Sequence, residues 1–159
     1  MAMIHVETTI TAPIERCFDL ARDIDFHVKS VASTNERAIA GRVTGLIGID
    51  ESVTWEARHL GATRQFTARV TRYDYPVHFR DEMTQGAFQS FVHDHQFEAQ
   101  DNVTIMIDII NFQSPWGPVG WLVDQCFMRG YLCRLLKSRC LAIKAEAESN
   151  QTNRDPSAG

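Results

Sequence analysis

No stretch of this chain approaches the ~18 uninterrupted apolar residues that a membrane-spanning helix requires. Its start, MAMIHVETTITAP, lacks the basic segment and following apolar run that mark a secretory leader. A cytoplasmic location without stable membrane association is therefore expected. Basic charge is not in excess either, since 16 Lys and Arg stand against 20 Asp and Glu for a net charge of −4. That mild acidity argues against nucleic acid or an anionic membrane as the main partner. Cysteine is scarce: of four, Cys126, Cys133 and Cys140 recur at sevenfold spacing. In a helix this places neighbours ~10 Å apart on one face, beyond the ~7 Å between Cα atoms that a disulfide tolerates. Buried, reduced thiols are expected. No internal repeat is visible. A chain of 159 residues is enough for one domain burying roughly 70% of its unfolded surface, so stability needs no disulfide or metal staple.

What is present is alternation. MIHVETTIT (residues 3–11) reads as a strand, and Pro13 suits the first turn of a short helix that turns Ile14, Cys17, Phe18 and Ala21 inward. A second short helical or irregular segment is expected through DIDFHVKSVA. Between residues 35 and 112, ERAIAG, ESVTWEARHL, TRQFTARVTRYD, VHFRDEMTQ, FQSFVHDHQFEA and VTIMIDIINFQ succeed one another as strands, several separated by short joints such as LGAT, QGA and QDN. The prolines of SPWGP stop the last strand, and residues 119–147 contain no proline and read as one long helix. Val119, Leu122, Val123, Cys126, Phe127, Leu132, Cys133, Leu135, Leu136, Cys140 and Ile143 cover so wide an arc that this helix is expected to be largely enclosed on the sheet. The order defines one domain over residues 1–147, with a disordered polar tail over 148–159.

Strand parity selects candidate site residues. Val77, Phe79 and Met83 share a face and carry Asp81 inward, leaving His78, Arg80 and Glu82 outside. The face that holds Phe91 and Phe97 also holds His93 and His95. The following strand is apolar on both faces, so pairing must orient it. A turn at Gln100-Asp101 sets His93 opposite Asp108, and one at Asp101-Asn102 sets His95 there. Val53, Trp55, Ala57 and His59 form another inward set, as do Phe66, Ala68 and Val70. Buried imidazoles and carboxylates must satisfy one another, so Asp81, His93, His95 and Asp108 are expected to form one cluster. It has the donors of a two-histidine, one-carboxylate metal site, but an H-x-H pair on a strand is a weak signal, and neither metal nor cofactor is expected. The same residues can hold three strands in register, or act as general acid and base at a carbon beside a carbonyl; no oxyanion device accompanies them.

Taken together, TAPIERCFDLARDIDFH, VTWEARHLG, FRDEMTQGAFQSFVHDHQFE, IMIDIINFQSPWGPVG and YLCRLLKSR in the final helix carry a resemblance over residues 3–147. The chain resembles the SRPBCC proteins, also called the START or Bet v 1-like helix-grip superfamily, and within it the bacterial ligand-binding and polyketide cyclase/dehydrase-like branch. That resemblance implies an α+β fold: a curved seven-stranded antiparallel sheet gripping a long C-terminal helix, two short helices after the first strand, and a hydrophobic cavity between. It implies binding or transfer of lipids and sterols, hormone sensing, or polyketide cyclisation. The expected partner is a small hydrophobic or amphipathic molecule, contacted by Trp55, His59, Phe66, Phe79, Asp81, Met83, Phe91, His93, His95, Met106, Asp108 and Arg129, the last lying between Cys126 and Cys133. The alternative is a cyclase or dehydratase using His93, His95, Asp108 and Asp81 as acid and base. A homodimer is left open.

Overall fold

Residues that alternate in the sequence pair as strands. In the computed structural model, which describes residues 1–31, 35–59 and 61–149, there are seven: β1 (Ala2–Ile10), β2 (Arg37–Gly41), β3 (Ser52–His59), β4 (Ala62–Asp74), β5 (His78–Gln85), β6 (Ser90–Gln100) and β7 (Val103–Gln113). They form one antiparallel sheet in the order β1-β7-β6-β5-β4-β3-β2. Helices α1 (Ile14–Ala21) and α2 (Ile24–Ser30) fill the connection from β1 to β2. α1 follows Pro13 and buries Cys17, Phe18 and Ala21. α2 is capped by the Asp23 carboxylate, which accepts from the N–H groups of Asp25 and Phe26. The expected disordered tail lies, from residue 150 onward, outside the described residues.

Pairing settles the strand that periodicity left open. Gln100 pairs with Val103 across a turn at Asp101-Asn102, with Asp101 in the left-handed region at φ 52°. His95 therefore stands opposite Asp108. Thr104, Met106, Asp108, Ile110 and Phe112 are buried on the inner face of β7, and Ile105, Ile107 and Ile109 take the outer one. One expectation on β5 needs correction, and β4 carries a break that its alternation does not mark. Val77 is exposed rather than inward, because its N–H closes a turn onto the Asp74 carbonyl and β5 begins only at His78. On β4 a bulge between Val70 and Arg72 shifts the parity, so Tyr73 and not Arg72 packs against the core.

The C-terminal helix runs in three stretches: α3 (Gly117–Val123), a π-helical turn (Asp124–Met128) and α4 (Arg129–Ser149). It thus starts two residues before and ends two after the expected 119–147. Only its second half is enclosed. Leu136, Cys140, Ile143 and Ala147 are buried on α4, which packs against β1. By contrast Val119, Leu122, Val123 and Phe127 are exposed. The wider π turn advances each side chain by less than the α-helical 100°, which breaks the cysteine stripe: Cys126 is exposed, Cys133 half-buried and Cys140 buried, all as free thiols.

Two contacts fix the start of this helix. A Cβ on Gly120 would stand 2.0 Å from the Pro115 carbonyl oxygen, so only glycine allows so close an approach. The fully buried Asp124 carboxylate accepts from the Ser114 N–H at 2.9 Å and from its hydroxyl at 2.5 Å. Replacing Asp124 by Ala strands both donors and is expected to cost ~1–3 kcal/mol in urea unfolding. Asp124→Asn, which keeps an acceptor, should lose less; equal stability of all three proteins would show that the latch is idle.

Candidate functional site

The period of two on β6 sends Phe91, His93, His95 and Phe97 to the inner face. β5 brings Asp81 opposite His93, and β7 brings Asp108 opposite His95. The side chains then connect diagonally. His93 Nε2 lies 3.0 Å from Asp108 Oδ1, and His95 Nε2 lies 3.0 Å from Asp81 Oδ1. His95 Nδ1 is 2.8 Å from Asp108 Oδ1, close enough for ion pairing though not aligned as a hydrogen bond. The Cys140 thiol donates to the second Asp108 oxygen at 3.4 Å. The two imidazoles lie 3.7 Å apart between ring centroids, and Phe79 stacks on His95 at 4.1 Å. The structure thus brings all four expected cluster members together.

Burial and pairing pull these groups in opposite directions. Burial alone would raise both carboxylates, yet the imidazoles outweigh it and hold Asp81 and Asp108 below the ordinary range. Burial alone would strip the proton from His95, yet contact with Asp108 and Asp81 outweighs it and raises the pKa. His93 goes the other way, lowered by burial and by the neighbouring His95 charge. In its neutral form His93 donates from Nε2 to Asp108 and keeps Nδ1 as an acceptor. Burial, with Asp108 beside it, pushes the Cys140 thiol up, so it stays protonated.

The cluster forms one wall of a cavity with two chambers. The inner, about 170 Å³, is lined by Asp81, His93 and His95 together with Trp55, Phe66, Phe79 and Phe91. The outer, about 310 Å³, shares Glu36, Trp55, Phe66 and Phe91 with it and continues to Ala87, Phe88, Met128, Tyr131 and Leu132. Several expected contacts do not reach these chambers. Met106 is fully buried in the core, Asp108 is sealed behind the imidazoles, and Met83 lies near Gly86 at the end of β5. Arg129 is exposed, because the π turn rotates it off the buried stripe. His59 ends β3 opposite Ala62, and its side chain lies outside the described residues.

Several inner-chamber residues come from helices and loops, beyond the reach of strand parity, among them Arg139, His27 and Glu36. Arg139 donates to the Ala21 carbonyl at 2.5 Å, while its buried Nε meets no hydrogen-bond partner among the described residues. Its spacing from Leu136, Cys140 and Ile143 is that of one helix face, a legible signal. His27 of α2 stacks on Trp55 at 4.2 Å and meets Glu36 at 3.0 Å; burial first, then Arg139, lowers its pKa. Asp81, His93 and His95 gather donor atoms within 4.8 Å of one another, a spacing one cation can span. The Nε2 atoms are, however, already engaged by the two carboxylates.

Solved structures of the same shape are many. Protein TTHA0849 from Thermus thermophilus superposes with a TM-score of 0.70 at 19% identity, covering 92% of this chain and 99% of that one. Ara h 8.0201 gives 0.68 at 15%, covering 94% and 99%. The major latex-like protein 151 of Panax ginseng gives 0.63 at 14%, covering 92% and 97%. The chain has the Bet v 1-like helix-grip fold. No protein-family model and no curated protein matches it, so the helix-grip likeness is one of structure, and the site must be argued from its own residues.

The cluster predicts a coupled energetic response. Asp108→Ala leaves an imidazole unpaired in an apolar wall and should cost ~1–3 kcal/mol, whereas His93→Leu with Asp108→Leu should cost less than the two single changes summed. Strict additivity in a double-mutant cycle would refute the pairing.

A pH profile gives an independent check. Depressed Asp81 and Asp108 contribute stability fully present above their ordinary 3.8 and lost as pH falls through their lower folded values. Raised His95 contributes stability present below 6.5 and lost as pH rises through its higher folded value. Depressed His27 and His93 lose theirs as pH falls from 6.5 toward their folded values. The melting temperature should therefore peak near neutrality, and His95→Gln should flatten the alkaline limb; an unchanged limb would rule out a charged His95.

Proposed function

We propose that the protein binds a small amphipathic molecule, its polar end against Asp81, His93, His95 and Arg139 and its apolar end in the outer chamber. The observation that carries this is the gradient along the cavity. The inner chamber is lined by ionisable groups, among them Arg139, whose Nε has no hydrogen-bond partner among the described residues, and the outer chamber is walled mostly by apolar and aromatic side chains. A ligand with a hydrogen-bonding head and an apolar body matches both ends; one that is apolar throughout would leave the head groups unanswered.

A second reading has one observation in its favour: a neutral His93 beside His95 with opposite shifts is an acid/base pair of the kind a cyclase or dehydratase uses. Turnover separates the two, because a ligand recovered unchanged after long incubation supports binding, and loss of water or ring closure in its mass supports catalysis. Native mass spectrometry of protein from its own host would give the ligand's mass. Ala87→Trp, which fills the outer chamber, is expected to weaken an anilinonaphthalene sulfonate dye by about tenfold, ~1.4 kcal/mol, in a fluorescence titration. An unchanged affinity would place that amphipathic probe elsewhere and remove the support for the chamber.

A further inference from the structure

Residues 115–128, PWGPVGWLVDQCFM, contain one charged side chain, Asp124, and the fold buries it under Ser114. What remains outside is apolar. Trp116 is 78% exposed, Val119 64%, Leu122 55% and Trp121 54%, a concentration that isolated surface apolar residues do not produce. The patch also runs into the ligand cavity: Phe127 stacks on Tyr131 at 6.2 Å between centroids, and Tyr131 lines the outer chamber with Met128 and Leu132.

Charge around this mouth points to the occupant. Arg64 lines the outer chamber, Arg134 is exposed on α4 three residues, less than one helical turn, beyond Tyr131, and Arg129 opens α4. None of the three has an ion-pair partner among the described residues, a state they share with Arg58 and Arg72 on β3 and β4, whereas Arg16, Arg22, Arg37, Arg42, Arg69 and Arg80 are paired. What sets the three apart is their place beside the outer chamber and the apolar helix start. Glu36, engaged with His27, is the acidic group lining the same chamber. We propose that this face docks reversibly on an anionic lipid bilayer. The helix start enters the interface, where tryptophan is favoured, and the three arginines meet lipid phosphates. With a net charge of −4 the whole molecule is not drawn to such a surface, so the attraction is local to this face. A second copy fits less well, because a two-fold contact would set the unpaired arginines of both copies against each other. No helix among the described residues is long and apolar enough to cross the bilayer, and docking suffices to open the outer chamber to a lipid phase. That use of docking rests on the ligand reading above; docking itself does not.

Sedimentation of the full chain with vesicles tests the proposal. Vesicles of phosphatidylcholine with about one quarter phosphatidylglycerol should bind it, and neutral vesicles or high salt should weaken binding by about tenfold. Trp116→Ala with Trp121→Ala, and separately Arg129→Glu with Arg134→Glu, should each weaken it comparably with unchanged circular dichroism, since all four side chains are exposed. Absence of binding to anionic vesicles, or binding indifferent to both pairs of substitutions, would overturn the proposal. So would a dimer in light scattering that the tryptophan substitutions dissolve, which would give the patch to a second copy. The dye titration without vesicles keeps the two readings apart: if the wild-type protein docks on vesicles but fails to bind the dye, the chamber reading falls and the docking surface stands.

Discussion

Asp108 accepts from His93 between β7 and β6, while His95 bridges Asp108 to Asp81 on β5, and this chain of charges crosses three neighbouring strands in a wall otherwise built of Phe and Met. A buried charge without its partner costs several kcal/mol. The register of β5, β6 and β7 is therefore specified twice, by the apolar side chains that must face the helix and by the ionisable ones that must face one another. Slipping β6 by a single residue would turn Phe91, His93, His95 and Phe97 outward together. It would also leave two carboxylates alone in the core.

The same network gives the cavity its direction. Because the imidazoles are tied to carboxylates at their backs, they present a fixed, partly charged surface to the inner chamber without collapsing onto the helix. Trp55, Phe66 and Phe91 stand between the two chambers and belong to both. The two chambers thus differ in lining: one carries Asp81, His93 and His95, and the other is mostly apolar and aromatic. Arg139, bonded to the Ala21 carbonyl and with an Nε that meets no partner among the described residues, adds a donor to the inner chamber.

The C-terminal helix serves two environments. Its second half is a core element, with a stripe from Leu136 to Ala147 against β1, and its first half carries apolar side chains out of the fold. The π turn at Asp124–Met128 separates them. Gly120 and Asp124 pin the first half to the end of β7, and that leaves the remaining side chains of the segment to the surface.

How much of this was legible follows from what periodicity can encode. Alternation within β3, β4 and β6 placed Trp55, Phe66, His93 and His95 on the inner wall. The hairpin restricted Asp108 to the histidine face under either turn, and the order of elements with the resemblance indicated the helix-grip architecture. These are local properties, set by a backbone that repeats every two or 3.6 residues. The choice of Asp101-Asn102 as the turn, the bulge that brings Tyr73 inward and the π turn that exposes Arg129 were not legible, because each inserts or shifts a residue and so breaks the repeat from which orientation is inferred. The apolar arc of residues 119–127 was visible, but its exposure was not: hydrophobicity states what a side chain avoids, and only the packing of α4 on β1 decided that no core surface remained to receive it. His27, Glu36 and Arg139 converge on the inner chamber from separate elements, a meeting that the tertiary fold alone created.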